Sequence, residues 1–396
     1  MSMSGDQAAA ARRRAATTLG YYNLHLGPSL WTLSSDLGVG YVDNIRMLGG
    51  GGTNNTGGDF FFHPQLNMGM RFPITDKNTL NFSMGAGYSA YVEHPNLSRY
   101  NITPGSELSF DMNVGNVLLD FHERPTIQQY AVEDPTYTGG DYVRFENNAG
   151  LLVMWDLNKL ALRSGYDHVN YMSLDSGSRY PDGQSEVLFL SAGYSPKAAR
   201  TFGLEGGLSL LSYDLPTNSP SGTMLGGTQI NGGGFYLDQL TEHIQLQAHA
   251  GYTVFSPEVS ASSQGGSDTG NLYLSLTLTH QLNQRIRHSL SVARTVNTAF
   301  YGGNYEIESI TWRADWSFIH KISVSTPLSY ERWTRVGTTT SSSDTFDRVS
   351  AGVTFSRPVS QRLTSSLAYQ LYWRGASAVQ SSYVVNSLTL NFSYRF

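Results

Sequence analysis

Apolar and polar residues alternate without a break over the last ten positions, SLTLNFSYRF from Ser387 to Phe396. A period of two is that of an extended strand, whose successive side chains point to opposite faces. Leu388, Leu390, Phe392, Tyr394 and Phe396 therefore share one face, and Thr389, Asn391, Ser393 and Arg395 share the other. The same alternation runs through LNFSMGAGYSAY from Leu80, ELSFDMNV from Glu107, LYLSLTLTHQL from Leu272 and RVSAGVTFS from Arg348. It is poor in TQINGGGFYLDQL from Thr228, where three consecutive glycines predict a bend.

Between these segments, short polar turns recur: PITDKN from Pro73, NVGN from Asn113, DLNK from Asp156, SPKAAR from Ser195, LTEH from Leu240, LNQR from Leu282, IHK from Ile319 and VSQR from Val359. These eight turns imply eight hairpins. Longer connections rich in Gly, Ser, Thr, Asn and Asp alternate with them, near Gly49, Ser173, Ser256 and Val336. Short turns at one end and long polar loops at the other are the asymmetry of a transmembrane barrel with periplasmic turns and outer loops. The expected fold is all-β, a transmembrane antiparallel up-and-down barrel of about eighteen strands from near Leu30 to Phe396. Sixteen strands follow if one hairpin lies outside, and both termini are expected on the periplasmic side.

We read residues 1–20 as an N-terminal tail and 21–396 as a single barrel domain, because no linker-like change of composition divides the chain. The tail carries AAAARRRAATTLG without the apolar core of a secretory signal. The remnant of a removed signal, a mis-chosen start and a periplasmic extension remain open for it.

Composition sharpens the choice between membrane and soluble β-folds. Charged residues make up 14% of the chain, against about 25% in an ordinary soluble domain, yet the mean hydropathy is slightly negative. A lipid face combined with a watery lumen gives that combination. No run of about 18 apolar residues supplies a transmembrane helix instead. A propeller would repeat about every 40 residues, and no such period is present. Aromatic residues fall near the expected strand ends, as in the girdles of membrane barrels: Phe60, Phe61, Phe62, Tyr88, Tyr91, Trp155, Trp312, Trp316, Trp333, Tyr372 and Trp373. With no cysteine there is no disulfide framework or thiolate metal site. A net charge of −5 gives no case for a nucleic-acid partner.

From about Tyr22 to Phe396 the chain resembles the beta-barrel porin 2 family of bacterial outer membranes. The matching stretches are YNLHLGP from Tyr22, DLGVGYVDNI from Asp36, ITPGSELSFD from Ile102, RFENNAGLLVMWDLNKLAL from Arg144, LTLTHQLN from Leu276 and SLAYQLYW from Ser366. The ending also resembles that of outer-membrane barrels, in which the terminal aromatic residues, here Tyr394 and Phe396, act as the assembly signal. The resemblance implies an outer-membrane pore of undefined substrate, sometimes associated with polysaccharide export, and carries no catalytic or binding residue with it. Its implied partners are outer-membrane lipids, the barrel assembly machinery, and polar solutes or ions. Monomer and trimer both stay open.

Parity names the candidates for a pore lining. With the apolar set facing lipid, the inward positions include Arg71, Arg124, Arg144, Arg163, Arg313 and Arg348, with Arg395 at the end of the last strand. On the same wall stand Glu107, Asp111, Asp120, Glu146, Glu205, Asp315 and Glu331, with Asp156 and Asp167. Opposed basic and acidic walls would set up a transverse field that screens polar solutes; the plainer reading is that these residues pair across neighbouring strands and satisfy one another. Catalysis is not expected. Asp167 and His168 are strand neighbours and point to opposite faces, and His280 reads as an interfacial residue at the membrane edge. No GxSxG or HExxH element occurs, and the ten histidines show no ligand spacing, so no metal or other cofactor is expected.

Overall fold

The structure, a computed structural model, describes residues 22–45, 47, 57–129, 143–174, 182–214, 224–259, 268–299, 303–318, 321–336, 345–376 and 381–396. The tail read at 1–20 lies outside the described residues. In chain order the strands are β1 Leu24–Leu26, β2 Ser29–Val42, β3 Asp59–Pro73, β4 Asn78–Tyr91, β5 Arg99–Ile102, β6 Glu107–Val114, β7 Val117–Gln129, β8 Val143–Leu157, β9 Leu160–Ser173 and β10 Asp182–Lys197. The second half holds β11 Arg200–Asp214, β12 Met224–Gln239, β13 Ile244–Val259, β14 Thr269–Asn283, β15 Ile286–Ala299, β16 Gly303–Ser317, β17 Ser323–Val336, β18 Thr345–Pro358, β19 Leu363–Arg374 and β20 Tyr383–Arg395.

All belong to one antiparallel sheet in which each strand pairs with its sequence neighbours and β20 pairs with β2, so the sheet closes on itself. Two of the strands do not count separately. β1 is a three-residue flap that pairs only with β2, and β5 and β6 are two halves of one crossing, both lying between β4 and β7. The barrel therefore has eighteen strands. The interruption at Thr103–Ser106 places Gly105 at φ +95°, where a side chain would be strained. Ser106 Oγ accepts the Gly85 N–H at 3.2 Å and stitches the gap to β4.

Each of the eight short turns lies between the strands it was expected to join, the tightest spanning Val114 to Val117, Leu157 to Leu160, Lys197 to Arg200 and Asn283 to Ile286. Side chains set several of them. Asn283 Oδ1 accepts the N–H groups of Arg285 and Ile286 at 2.8 and 3.0 Å, and Ser360 Oγ does the same for Arg362 and Leu363. The long connections all lie at the opposite end.

Direct register partners share a face, so parity can be followed from β20 around the ring and back through β2 without contradiction. On one face lie exposed apolar side chains such as Leu204, Leu272, Leu388 and Leu390. On the other lie most of the buried polar groups, including Asp120, Asp167 and Arg374. A closed sheet has one convex and one concave surface, and burial identifies the polar one as the inside.

Two expectations are corrected here. The glycine run at Gly232–Gly234 makes no bend: β12 pairs with β11 and β13 in continuous register through it, and the register shift falls instead between Met224 and Gly226. The glycines leave room, since a Cβ on Gly233 would collide with the Tyr273 hydroxyl. The aromatic residues at strand ends also do not form one girdle. Phe60, Phe62, Tyr88, Trp155, Trp312, Trp316 and Trp373 have outward parity, whereas Phe61, Tyr91, Trp333 and Tyr372 point inward. Position along a strand does not decide the face; parity does.

Candidate site in the barrel lumen

Register places Arg71, Glu107, Asp111, Asp120, Arg124, Arg144, Glu146, Arg163, Glu205, Arg313, Asp315, Glu331 and Arg348 all on the inner face, together with Asp156, Asp167 and Arg395. Most are brought together in small groups on adjacent strands. Arg124 Nε donates to Glu107 at 2.7 Å. Arg144 holds Glu146 at 2.5 Å and lies 4.6 Å from the centroid of the Tyr171 ring. Asn81 donates to Asp111 at 2.7 Å. Arg348 reaches Glu331 at 3.6 Å, while the Trp333 indole N–H donates to the same carboxylate at 2.9 Å. Arg313 and Asp315, 3.2 Å apart, are the exposed pair, near the short-turn end.

The deepest group crosses three strands. His122 on β7 bridges Asp120 on its own strand, Nδ1 to carboxylate 3.0 Å, and Asp167 on β9, Nε2 to carboxylate 2.7 Å. All three side chains are almost fully buried. The intervening β8 residue is Gly150, and a Cβ there would meet His122 Nε2 at 2.8 Å. Asp167 and His168 diverge as alternation requires: Asp167 binds His122 inside, and His168 Nδ1 contacts Glu186 at 2.8 Å on the outer face. His280 is likewise outward, 2.9 Å from His288.

Several inner-face residues were not singled out from sequence: His122, Asp36, His249, Arg287, Arg335 and Arg374. Alternation alone contains them, because each has the parity of a named neighbour. His249 and the Tyr273 hydroxyl both lie 3.2 Å from Glu205. Arg374, fully buried, stacks 4.0 Å from the centre of the Phe346 ring. Phe346, Tyr305, Ile307 and Trp333 form an apolar cluster on this inner wall, a feature that a simple polar-in pattern conceals.

Charge is unevenly spread. Inward arginines outnumber inward acids from β15 to β20, where Arg287, Arg313, Arg335, Arg348, Arg374 and Arg395 face Asp315 and Glu331. Half the ring away, on β6 to β9, Glu107, Asp111, Asp120, Glu146, Asp156 and Asp167 outnumber Arg124, Arg144 and Arg163. At the loop end, Asn44, Ile45 and Met47 leave β2 and fold back on the inner wall, over Phe61, Tyr91, Tyr372 and Val385, enclosing a cavity of about 170 Å³.

A closed eighteen-stranded sheet is what the solved structures share with this chain. The chain has the fold of an outer-membrane porin. A BenF-like porin from Pseudomonas fluorescens Pf-5 aligns over 94% of this chain and 100% of its own at TM-score 0.54 and 12% identity. Pseudomonas aeruginosa OccK2 (OpdF), solved in complex with glucuronate, aligns over 94% and 99% at TM-score 0.54 and 11% identity. Acinetobacter baumannii OccAB3 aligns over 92% and 99% at TM-score 0.51 and 12% identity. No family model and no curated protein matches the sequence. At these identities the likeness is one of architecture, and the residues of the lumen have to speak for themselves.

Proposed function

We propose that the protein is a bacterial outer-membrane channel for passive diffusion of small polar solutes or ions, with the inner-face charges as its lining. The observation that carries this is the two-faced character of the closed sheet: mostly apolar, lipid-compatible side chains outside, and most of the buried ionic groups, of both signs, inside. A barrel of this strand number is wide enough to leave an aqueous lumen. Its opposed basic and acidic arcs place a field across the path of a solute. Asn44, Ile45 and Met47 add to the wall at the loop end. We assign the short turns and both termini to the periplasm, Tyr394 and Phe396 to recognition by the assembly machinery, and the chain to the beta-barrel porin 2 group on the stretches quoted above. Assistance to polysaccharide export is the second reading, favoured by polar loops long enough to meet a glycan. A third is a non-conducting barrel that displays those loops.

Single-channel recording of the refolded protein in a planar bilayer decides among them. Stable conductance steps that scale with salt are expected. A folded barrel that stays silent overturns the channel reading and moves the weight to a partner-gated exporter or a display scaffold, and block of the current by an acidic glycan favours export.

A further inference from the structure

On the outer face, which elsewhere carries isolated pairs such as His168–Glu186 and Arg200–Asp238, four adjacent strands carry a continuous row of charges. Arg294 on β15 is the register partner of Glu308 on β16; Glu308 pairs with Arg332 on β17, and Arg332 with Asp347 on β18. Each has outward parity, and Glu306 joins them, with Arg294 Nη2 2.7 Å from its carboxylate. Arg332 Nε donates to Asp347 at 3.0 Å, and the Tyr330 hydroxyl donates to the same carboxylate at 2.8 Å.

The row reaches down toward the apolar belt. Arg294 stands eight residues beyond the start of its strand, as half-buried Leu208 does in β11, exposed Tyr252 in β13 and the polar His168 in β9. Its other register partner is Leu274. The charges therefore begin where neighbouring strands still present the apolar belt, and charged groups on the lipid face of a barrel are disfavoured unless something meets them. Below the row lies a groove of about 390 Å³, with Leu274, Val292 and Ile310 on its apolar side and Arg294, Glu308 and Arg332 on its charged side.

We infer that this groove holds a phosphate-bearing glycolipid of the outer leaflet, its acyl chain along the apolar side and its headgroup on the charged row. The inference rests on the proposed outer-membrane placement. Each arginine commits one nitrogen to a carboxylate, Nη2 in Arg294 and Nε in Arg332, which leaves further donors of two planar guanidiniums for phosphate oxygens. Glu308 and the Tyr330 hydroxyl suit sugar hydroxyls. A concave groove continuous with the lipid belt takes a chain, whereas the convex flank of a second barrel does not enter it.

The test compares wild type, the Arg294→Gln/Arg332→Gln double variant and Arg200→Gln, an outward arginine at the short-turn end. Each is refolded into phosphatidylethanolamine–phosphatidylglycerol vesicles containing diphosphorylated lipid A, extracted, and weighed by native mass spectrometry. Wild type and Arg200→Gln are expected to retain lipid A, the double variant about tenfold less, and none of them lipid A stripped of its phosphates. Equal retention by the double variant, equal retention of the stripped lipid or of phosphatidylglycerol, or a lipid-free wild-type oligomer overturns the inference. A barrel that inserts and conducts but holds no lipid A overturns it alone. A chain that forms no barrel in any of these vesicles overturns the membrane placement beneath it.

Discussion

His122 shows how one residue depends on the smallness of another. Its imidazole spans from Asp120 to Asp167 across a strand that contributes only Gly150 at that point, so the contact exists because β8 has no side chain there. Gly150→Ala would drive a methyl group toward His122 Nε2, Asp167 Oδ1 and the Tyr166 carbonyl, none of which is the far end of a long flexible side chain. We expect a loss of about 1–3 kcal/mol, read as a lower urea midpoint for unfolding from vesicles. Gly232→Ala is the control, since nothing lies within 4 Å of a Cβ there, and its midpoint should stay within the range of a neutral surface change. Equal midpoints for the two variants would show that the bridge does not need the gap.

At the scale of the element, parity makes the clearest forecast. Cysteines at Asn391 and Ser393 should react with a water-soluble maleimide from the lumen, and cysteines at Leu390 and Phe392 should be shielded by lipid; lipid shielding of Asn391 or Ser393 would reverse the assignment of the faces. The hairpins were legible in the sequence because a turn of the DLNK or LNQR kind interrupts alternation abruptly, and the chain reverses there. What parity carried, it carried into the lumen: each named arginine and carboxylate has the face expected of it. Three features were hidden. The gap at Thr103–Ser106 splits one crossing in two, yet the residues around it alternate as a strand does. The glycines at 232–234 look like a breaker when read locally; only the neighbouring strands reveal that the Tyr273 hydroxyl occupies the space beside Gly233. Trp333 and Tyr372 sit at strand ends like girdle residues but point inward, because an end position is compatible with either face.

Taken whole, the barrel sets an arginine-rich arc against an acid-rich one, and in the proposed channel these arcs would set the ionic selectivity. Replacing Arg348 and Arg287 with Gln should move the reversal potential in a salt gradient toward cation preference, while Glu107→Gln with Asp111→Asn should move it the other way. Unchanged potentials in both pairs would mean that the ions pass elsewhere or that neighbouring pairs neutralise the walls. A tag in the polar connection after Ser256 should be reachable on intact cells if the long loops face outward; a hidden tag would invert the barrel. The ring itself is joined by nine rungs between Ser34–Val42 and Ser387–Arg395. Among the described residues, every other ladder links crossings that follow one another in the chain, with β5 and β6 counted as one crossing, so it can form locally, but these rungs need both ends of the sheet to meet. The entropy of closing so long a loop falls on this one ladder. Until it zips, the sheet has two bare edges able to pair with another chain. The timing of folding is thereby concentrated in the final strand, and a chain missing Ser387–Phe396 would remain an open ribbon prone to aggregation.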